Sequence, residues 1–198
     1  MTKRIIGLTG GIATGKTTVA NYLASAYHLP IFDADIYARD AVAVGSPILT
    51  AIAQHYGEQI LLPDGNLNRQ KLGEIIFNHP SQKQWIENLI HPYVKQCFLQ
   101  AIAEATTKTL ILVIPLLFEA QMTNLVTEIW VVSCTPEKQL QRLIQRNHLS
   151  YEQAQARINS QFPLAEKVAC ADVVLDNSST LDILLNQIDT VLKRTTLE

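Results

Sequence analysis

Five short stretches of the chain are almost continuously apolar. Strands buried on both faces of a parallel sheet have this pattern, whereas half-exposed strands alternate apolar and polar positions. The stretches are RIIGLT at 4–9, PIFDA at 30–34, TLILVIP at 109–115, EIWVVSC at 128–134 and DVVLDN at 172–177. We therefore expect a five-stranded, mostly parallel sheet.

Segments with apolar residues at helical spacing separate these strands. They cover 16–26, 136–146, 151–161 and 180–194. Thr135 and Ser150 precede two of them and are residue types that commonly cap helix N-termini. The alternation of strands and helices predicts an α/β fold.

The interval between the second and third strands, residues 35–106, is too long for a simple crossover connection. Helical patterns cover 36–44, 47–56, 69–78 and 81–105, and the turn LLPDGNLN interrupts them. We expect a helical insertion beside one crevice of the sheet, where a second substrate can be held.

The composition narrows the classes of partner. The net charge is −2 and the pI about 6.2, whereas nucleic-acid-binding domains are usually basic. The longest apolar run, LILVIPLLF at 110–118, is too short to span a bilayer, and the start has no secretory pattern.

Cys97, Cys134 and Cys170 show no metal-ligand or disulfide spacing, so we expect buried, inert thiols in a reducing cytoplasm. The oligomeric state stays open, between monomer and weak homo-oligomer.

The segment GGIATGKT, residues 10–17, matches the phosphate-binding pattern G-x-x-x-x-G-K-[ST] between a strand and a helix. Backbone N–H groups of such a loop hold phosphates, Lys16 contacts the β- and γ-phosphates, and the Thr17 hydroxyl binds Mg²⁺. A chance match is expected in roughly one chain in a hundred of this length. The predicted nucleotide-binding residues are Gly10, Gly11, Ile12, Ala13, Thr14, Gly15, Lys16, Thr17 and Thr18.

Several classes of P-loop protein fit poorly. The chain has no Asn-Lys-x-Asp segment for reading guanine, and Thr9 stands where partition-type ATPases carry a lysine. The third strand ends in IPLLFE, without the metal-binding Asp that is usual in motors and helicases. A small P-loop kinase remains the best class.

Two carboxylates support a kinase. Asp33 and Asp35 lie at the carboxyl end of the second strand, where α/β proteins bind ligands, and alternate residues share one face of a strand. Such a carboxylate can orient an acceptor hydroxyl and take its proton. Asp35 is equally well placed to cap the following helix.

Arginines on the later helices can neutralise a transferred phosphoryl group. Arg142 and Arg146 lie one turn apart on one predicted helix, and Arg157 lies on the next. A solvated basic face explains the same spacing. Arg39 is placed to pair with Asp35 or to bind an acceptor phosphate.

Taken together, these segments resemble the dephospho-CoA kinase family over nearly the whole chain. The resemblance lies in GLTGGIATGKTTVA, DADIYAR, LNRQKLGEIIFNHP, LIHPYV, VIPLLFE, QLQRLIQRNHLSYEQAQARINSQFP and ADVVLDNSS. The loop departs from the family at Ala13 and Thr14, where Gly and Ser are more frequent. Every required backbone donor nevertheless remains.

The resemblance implies transfer of phosphate from ATP, with Mg²⁺, to the ribose 3′-hydroxyl of dephospho-CoA. It implies Asp33 as general base, Lys16 on the phosphates, Arg142 and Arg146 as lid residues, and Asn177 in the adenine pocket. It also implies a single P-loop kinase domain with a core at 1–34, 107–136 and 170–198, an acceptor-binding insertion at 35–106, and a lid at 137–169. The implied acceptor contacts are Asp33, Asp35, Arg39, Arg69, Lys71 and His91. For His91, capping or packing at the segment IHP is an equal alternative.

Two other functions remain open at this point. The same core serves kinases for other nucleosides or nucleotides, although the long insertion argues against a short monophosphate site. A non-catalytic nucleotide switch needs the same loop, but it has no need of a carboxylate base for an alcohol.

Overall fold

The computed structural model describes residues 3–195, except for the side chains of Asn78, Arg194 and Thr195. The chain divides into two compact units. The first contains the residues up to 32 together with those from 104 onward, and the second contains residues 33–103. The further division of the first unit into core and lid stays a prediction.

A five-stranded parallel sheet forms the first unit, as the apolar runs predict. Its strand order is β2-β3-β1-β4-β5, and the central strand β1 leads directly into the predicted phosphate loop. In the register, Leu8 lies opposite Val113 and Gly10 lies opposite Val132. The strands are β1 Arg4–Gly10, β2 Ile31–Asp33, β3 Thr109–Val113, β4 Glu128–Ser133 and β5 Val173–Asp176.

The described residues contain nine α-helices and two short 3₁₀ turns, Glu58–Ile60 and Thr123–Leu125. The sequence pattern did not predict α8, because six residues are too few to show a helical period. The helices are α1 Lys16–Tyr27, α2 Ala34–Asp40, α3 Pro47–Tyr56, α4 Arg69–Asn78, α5 Pro80–Glu104, α6 Pro136–Asn147, α7 Tyr151–Asn159, α8 Leu164–Ala169 and α9 Leu181–Thr195.

Helix caps account for most of these boundaries. The Thr135 side chain accepts a hydrogen bond from Lys138 N at the start of α6, and Pro136 occupies the first turn. Ser150 and Gln153 form a capping box at the start of α7. The starts of α6 and α7 agree with the predicted ones. A helix cap depends on only a few neighbouring residues, so it can be recognised in the sequence.

The core of the first unit lies on the sheet. Ile6, Leu8, Trp130 and Val132 are fully buried, and helices α1 and α9 pack against them through residues such as Leu23. Burial of consecutive positions in β1 and β4 explains why these strands are apolar throughout rather than alternating.

The second unit has its own apolar core between α3, α4 and α5. Leu49, Ile52, Ile60 and Ile86 are buried there. This unit carries all six of the predicted acceptor-binding residues.

The cysteines are free, but their burial differs from the prediction. Cys134 is buried and Cys97 is half-buried, whereas Cys170 is exposed at the end of α8. The expectation of a buried thiol was therefore wrong for Cys170, which lies on a helix that the sequence pattern did not reveal. Among the described residues, no helix combines the length and the apolar character that a membrane crossing requires.

Candidate active site

The P-loop, residues 10–17, joins the end of β1 to the start of α1. Gly10 and Gly15 have positive φ angles of 144° and 108°, which glycine adopts most easily. A Cβ atom at Gly10 would collide with Val132 O of β4, and one at Gly15 would collide with the side-chain amide of Asn177. The glycines were predicted to allow close approach to phosphate, and the structure shows that neighbouring protein atoms also require them.

Hydrogen bonds inside the P-loop hold its curled shape. Thr14 is buried, and its hydroxyl donates to Gly11 O at 2.9 Å. Asn177 Nδ2 donates to Thr14 O at 2.8 Å, which ties the loop to the segment after β5. Lys16 Nζ donates to Gly11 O at 2.8 Å and to Gly10 O at 3.2 Å, so the ammonium group lies across the loop.

The N-terminus of α1 opens from this loop. Its N-cap is Gly15, which has no side chain to cap the first N–H groups of the helix. Uncapped N–H groups at the positive end of a helix dipole form an anion site. Thr17 and Thr18 are exposed in this first turn. The arrangement fits a phosphate chain.

The donor set for Mg²⁺ is small. The described residues contain no group of three or more His, Cys, Asp or Glu side chains that could hold a metal ion. Mg²⁺ is commonly bound by one or two protein oxygens together with phosphates and water. The exposed hydroxyl of Thr17 fits that mode and not a closed protein cage.

A cavity of about 300 Å³ adjoins the P-loop. Arg142 lies partly buried in its wall, and its Nη2 donates to Asn177 O at 3.0 Å. Its Nη1 is also buried and has no hydrogen-bond partner among the described residues. Because Arg142 lines the cavity, its guanidinium group suits an anionic or polar ligand there. The cavity is lined by Ala13, Gly15, Thr18, Arg142, Asn177, Ser179 and Leu181.

The structure separates the two arginines of α6. Arg142 lines the cavity, whereas Arg146 is exposed in the last turn, where its Nε donates to Asn147 Oδ1 at 2.9 Å. Arg157 is also exposed, on α7. Arg142 is therefore the predicted lid arginine that this structure brings to the P-loop.

Two glutamines that sequence reasoning did not single out hold the backbone of Ile12. Gln161 Oε1 accepts from Ile12 N at 2.8 Å, and Gln139 Nε2 donates to Ile12 O at 2.9 Å. Gln139 is 5% exposed. The only sequence signal was a polar residue on the apolar face of α6.

An ion pair between a buried lysine and a glutamate, also unpredicted, lies near the start of the P-loop. Lys167 is fully buried on α8, and its Nζ donates to Glu119 Oε1 at 2.8 Å and to Pro115 O at 3.2 Å. Thr9 Oγ1 donates to the same Pro115 carbonyl at 3.3 Å. Glu119 Oε1 also accepts from Phe162 N at 2.9 Å. The pair links the segment after β3 to the segment after α7.

The protonation of Glu119 follows from these contacts. Burial alone would raise the pKa of this carboxyl. Hydrogen bonds from Lys167 and from the backbone N–H groups of Glu119 and Phe162 outweigh burial and lower the pKa below its ordinary value. Glu119 is thus a carboxylate at neutral pH and balances the buried ammonium.

Asp33 is the last residue of β2 and the N-cap of α2. Its Oδ1 accepts from Asp35 N at 2.8 Å, and its extended backbone, φ −118° and ψ 123°, suits an N-cap. The alternative that Asp35 caps this helix was wrong, because the helix begins at Ala34, two residues earlier than that alternative requires. A carboxylate has about four acceptor sites, so capping leaves capacity for an acceptor hydroxyl.

The other predicted acceptor contacts lie on three helices of the second unit, and Asp35 is exposed in the first turn of α2. Arg39 is exposed near the end of α2, and Arg69 is exposed as the first residue of α4. Lys71 Nζ donates to the backbone and side-chain oxygens of Gln59, at 3.1 and 3.3 Å. His91 is half-buried within α5. Lys71 therefore forms hydrogen bonds within the second unit, whereas Arg39 and Arg69 are exposed on its surface.

Comparison with known proteins gives a consistent family. A sequence model of the family described as Dephospho-CoA kinase matches residues 4–182. A protein of Nostoc sp. (strain PCC 7120) named "Dephospho-CoA kinase" is 73% identical over 192 residues, which cover 97% of this chain and 98% of that protein.

Two solved structures have the same fold as this chain. A crystal structure of a Thermus thermophilus protein superposes with a TM-score of 0.84 at 28% identity and covers 98% of each chain. The dephospho-CoA kinase from Campylobacter jejuni superposes with a TM-score of 0.72, also at 28% identity, over 98% of this chain and 97% of that one. The family model, the Nostoc protein and the Campylobacter jejuni structure thus carry the same family name.

Proposed function

The chain belongs to the dephospho-CoA kinase family, which phosphorylates dephospho-CoA with ATP in coenzyme A biosynthesis, and we propose how its own residues carry that reaction. The observation that carries the proposal is the P-loop. Its backbone curls around Lys16 and opens into an uncapped helix N-terminus beside a cavity of about 300 Å³.

The P-loop binds the phosphates of ATP. Backbone N–H groups between Ala13 and Thr17 donate to phosphate oxygens, and Lys16 turns from the loop carbonyls to the β- and γ-phosphates. Thr17 offers its hydroxyl to Mg²⁺, which would supply charge neutralisation between the phosphates. Lys16 acts in transfer as well as in binding, because it contacts the group that moves.

The cavity beside the loop holds the base and sugar of ATP. Asn177 and Arg142 form its polar wall, and Ala13 and Leu181 contribute apolar surface. Arg142, whose side chain lines this cavity, donates from its guanidinium group to the bound nucleotide. Arg146 neutralises the phosphoryl group during transfer as a lid residue, and residues 137–169 form that lid.

Asp33 takes the proton from the acceptor. The ribose 3′-oxygen of dephospho-CoA attacks the γ-phosphorus, an O–P bond forms, and the bond to the β-phosphate oxygen breaks to release ADP. The hydroxyl proton passes to the Asp33 carboxylate. Capping of α2 fixes this carboxylate through Oδ1, so that its orientation is set before the acceptor binds.

The helical insertion, residues 35–106, binds the rest of the acceptor. Arg39, Arg69 and Lys71 are cations suited to its phosphates, and Asp35 and His91 are suited to its hydroxyl and amide groups. We also propose that the protein acts in the cytoplasm, as a monomer or weak homo-oligomer, without nucleic acid or a membrane as partner.

The test is product formation with several acceptors. The purified protein is incubated with Mg-ATP and dephospho-CoA, adenosine or AMP, and the products are identified by mass and by the position of the new phosphate. We expect phosphate on the 3′-oxygen of dephospho-CoA and at most slow transfer to the other two. Faster transfer to adenosine or AMP, or phosphate at another position, would contradict the proposal.

A further inference from the structure

Ala13 has a left-handed backbone within the P-loop. Its φ angle is 60°, a region that residues with a Cβ atom adopt rarely and at a cost in free energy. Such a conformation persists only where surrounding contacts enforce it. Since Ala13 also lines the nucleotide cavity, the contacts that enforce its conformation bear on binding.

The peptide groups on both sides of Ile12 provide such contacts. The Ile12 N–H donates to Gln161 Oε1 at 2.8 Å, and the Ile12 C=O accepts from Gln139 Nε2 at 2.9 Å. That carbonyl belongs to the peptide bond between Ile12 and Ala13, so its orientation constrains φ of Ala13. We name Gln139 and Gln161 together the glutamine clamp.

Fixed elements support both glutamines. Gln139 lies in α6, is 5% exposed, and lies so close to Gly11 that a Cβ atom there would come within 2.5 Å of Nε2. Gln161 follows α7 and donates through its backbone N to Ile158 O at 3.2 Å. The backbone N of the next residue, Phe162, donates to Glu119 Oε1, which also accepts from Lys167. The clamp therefore connects α6 and the segment after α7 to the P-loop through hydrogen bonds to Ile12.

We propose that the glutamine clamp holds Ala13 in its left-handed conformation, so that the loop is preorganised for ATP phosphates. Gln139 and Gln161 are positioning residues in this proposal, and they act through the backbone of Ile12. The proposal rests on the proposed function only in that the P-loop binds ATP. A glycine at position 13 adopts positive φ without the Cβ cost, and it should depend less on the clamp.

The test is a pair of double-mutant cycles. Gln139→Met and Gln161→Met keep the length of the side chain and remove its amide. Each is made in the unaltered chain and with Ala13→Gly, and Mg-ATP affinity is measured by calorimetry. We expect each glutamine substitution to raise Kd about 3- to 10-fold with Ala13 present, the size typical of one lost hydrogen bond. We expect less than about 2-fold when residue 13 is glycine.

The control is Gln145→Met, on the exposed face of α6, which should leave Kd unchanged. Equal ratios with and without the Ala13→Gly substitution, or an unchanged Kd in both glutamine variants, would overturn the proposal. Gln161→Ala, which adds no new group, replaces Gln161→Met if the latter fails to fold, and it must give the same pattern.

Amide hydrogen exchange provides a second measurement that does not require ATP. Loss of the Gln161 acceptor should speed exchange of the Ile12 N–H in Gln161→Met, while amides in β1 keep their protection. Unchanged exchange at Ile12 would overturn the clamp. Failure of the unaltered chain to bind Mg-ATP would instead contradict the proposed function, so the two failures are distinguishable.

Discussion

The P-loop and the helical unit at 33–103 were both predicted to bind substrate, and they differ in how that prediction arose. The P-loop works through backbone groups, whose geometry demands glycine at fixed positions and a lysine beside them. The helical unit offers side chains on α2, α4 and α5, at positions that many residue types can occupy. A backbone site therefore leaves a motif in a sequence, whereas a site built from scattered side chains is recognised only through resemblance to relatives.

Substitution of one lysine in each region should give a large difference in kinetics. Lys16→Ala should lower kcat/KM about 10²- to 10³-fold and weaken Mg-ATP binding, because the ammonium contacts the phosphates in the ground and transition states. Lys71→Ala should raise KM for dephospho-CoA less than about 10-fold without changing the affinity for Mg-ATP. Steady-state kinetics with each substrate varied measure both. Near-normal turnover of Lys16→Ala would exclude the phosphate site.

A second pair of lysine substitutions, one in each unit, compares the two units by the change in the free energy of unfolding. Lys167→Met should lower the free energy of unfolding by about 2 kcal/mol, since it removes the hydrogen bonds that the buried ammonium donates to Glu119 and Pro115. Lys83→Met should change it by less than about 0.5 kcal/mol, because Lys83 is exposed and its pair with Glu87 is a surface pair. Urea unfolding measures both values. The double variant Lys167→Met/Glu119→Gln should recover part of the loss, and strict additivity would contradict a direct interaction.

Substitution of the two arginines of α6 compares a residue that lines the cavity with an exposed residue on the same helix. Arg142→Ala should raise the Kd of Mg-ATP about 10- to 100-fold, the cost of a lost hydrogen bond from a charged group. Arg146→Ala should instead lower kcat, because an exposed residue reaches the phosphoryl group only when the lid closes. Calorimetry and single-turnover kinetics separate the two effects. Equal loss of ATP affinity in both variants would mean that the cavity does not distinguish them.

The smallest effect is a dependence of stability on acidic pH. The pKa of Glu119 is lowered in the folded chain, so its stabilising contribution is complete above the ordinary value of 4.5. It is lost as the pH falls below that value through the folded pKa. Glu119→Gln should flatten this part of the curve of unfolding free energy against pH. An identical slope in the variant and the unaltered chain would show that Glu119 does not titrate differently on folding.

The sequence predicted the sheet and most helices because their signals are local. Apolar runs identified each strand, and caps such as Thr135 and Ser150 set the helix starts. It did not predict the clamp on Ile12, because Gln139 and Gln161 lie far from it in the chain and are ordinary polar residues in helical segments. Lys167 was missed for the same reason, since a lysine is normally exposed and only its distant partner explains its burial.

The most direct test of the account concerns Asp33, which is proposed to act on the acceptor while the P-loop binds the donor. Asp33→Asn keeps the size of the side chain and an oxygen that can cap α2. Its single-turnover rate with Mg-ATP and dephospho-CoA is compared with that of the unaltered chain, beside the Kd of Mg-ATP. The account predicts a rate about 10²- to 10⁴-fold lower with ATP affinity nearly unchanged. An unchanged rate would contradict the role of Asp33 as the base.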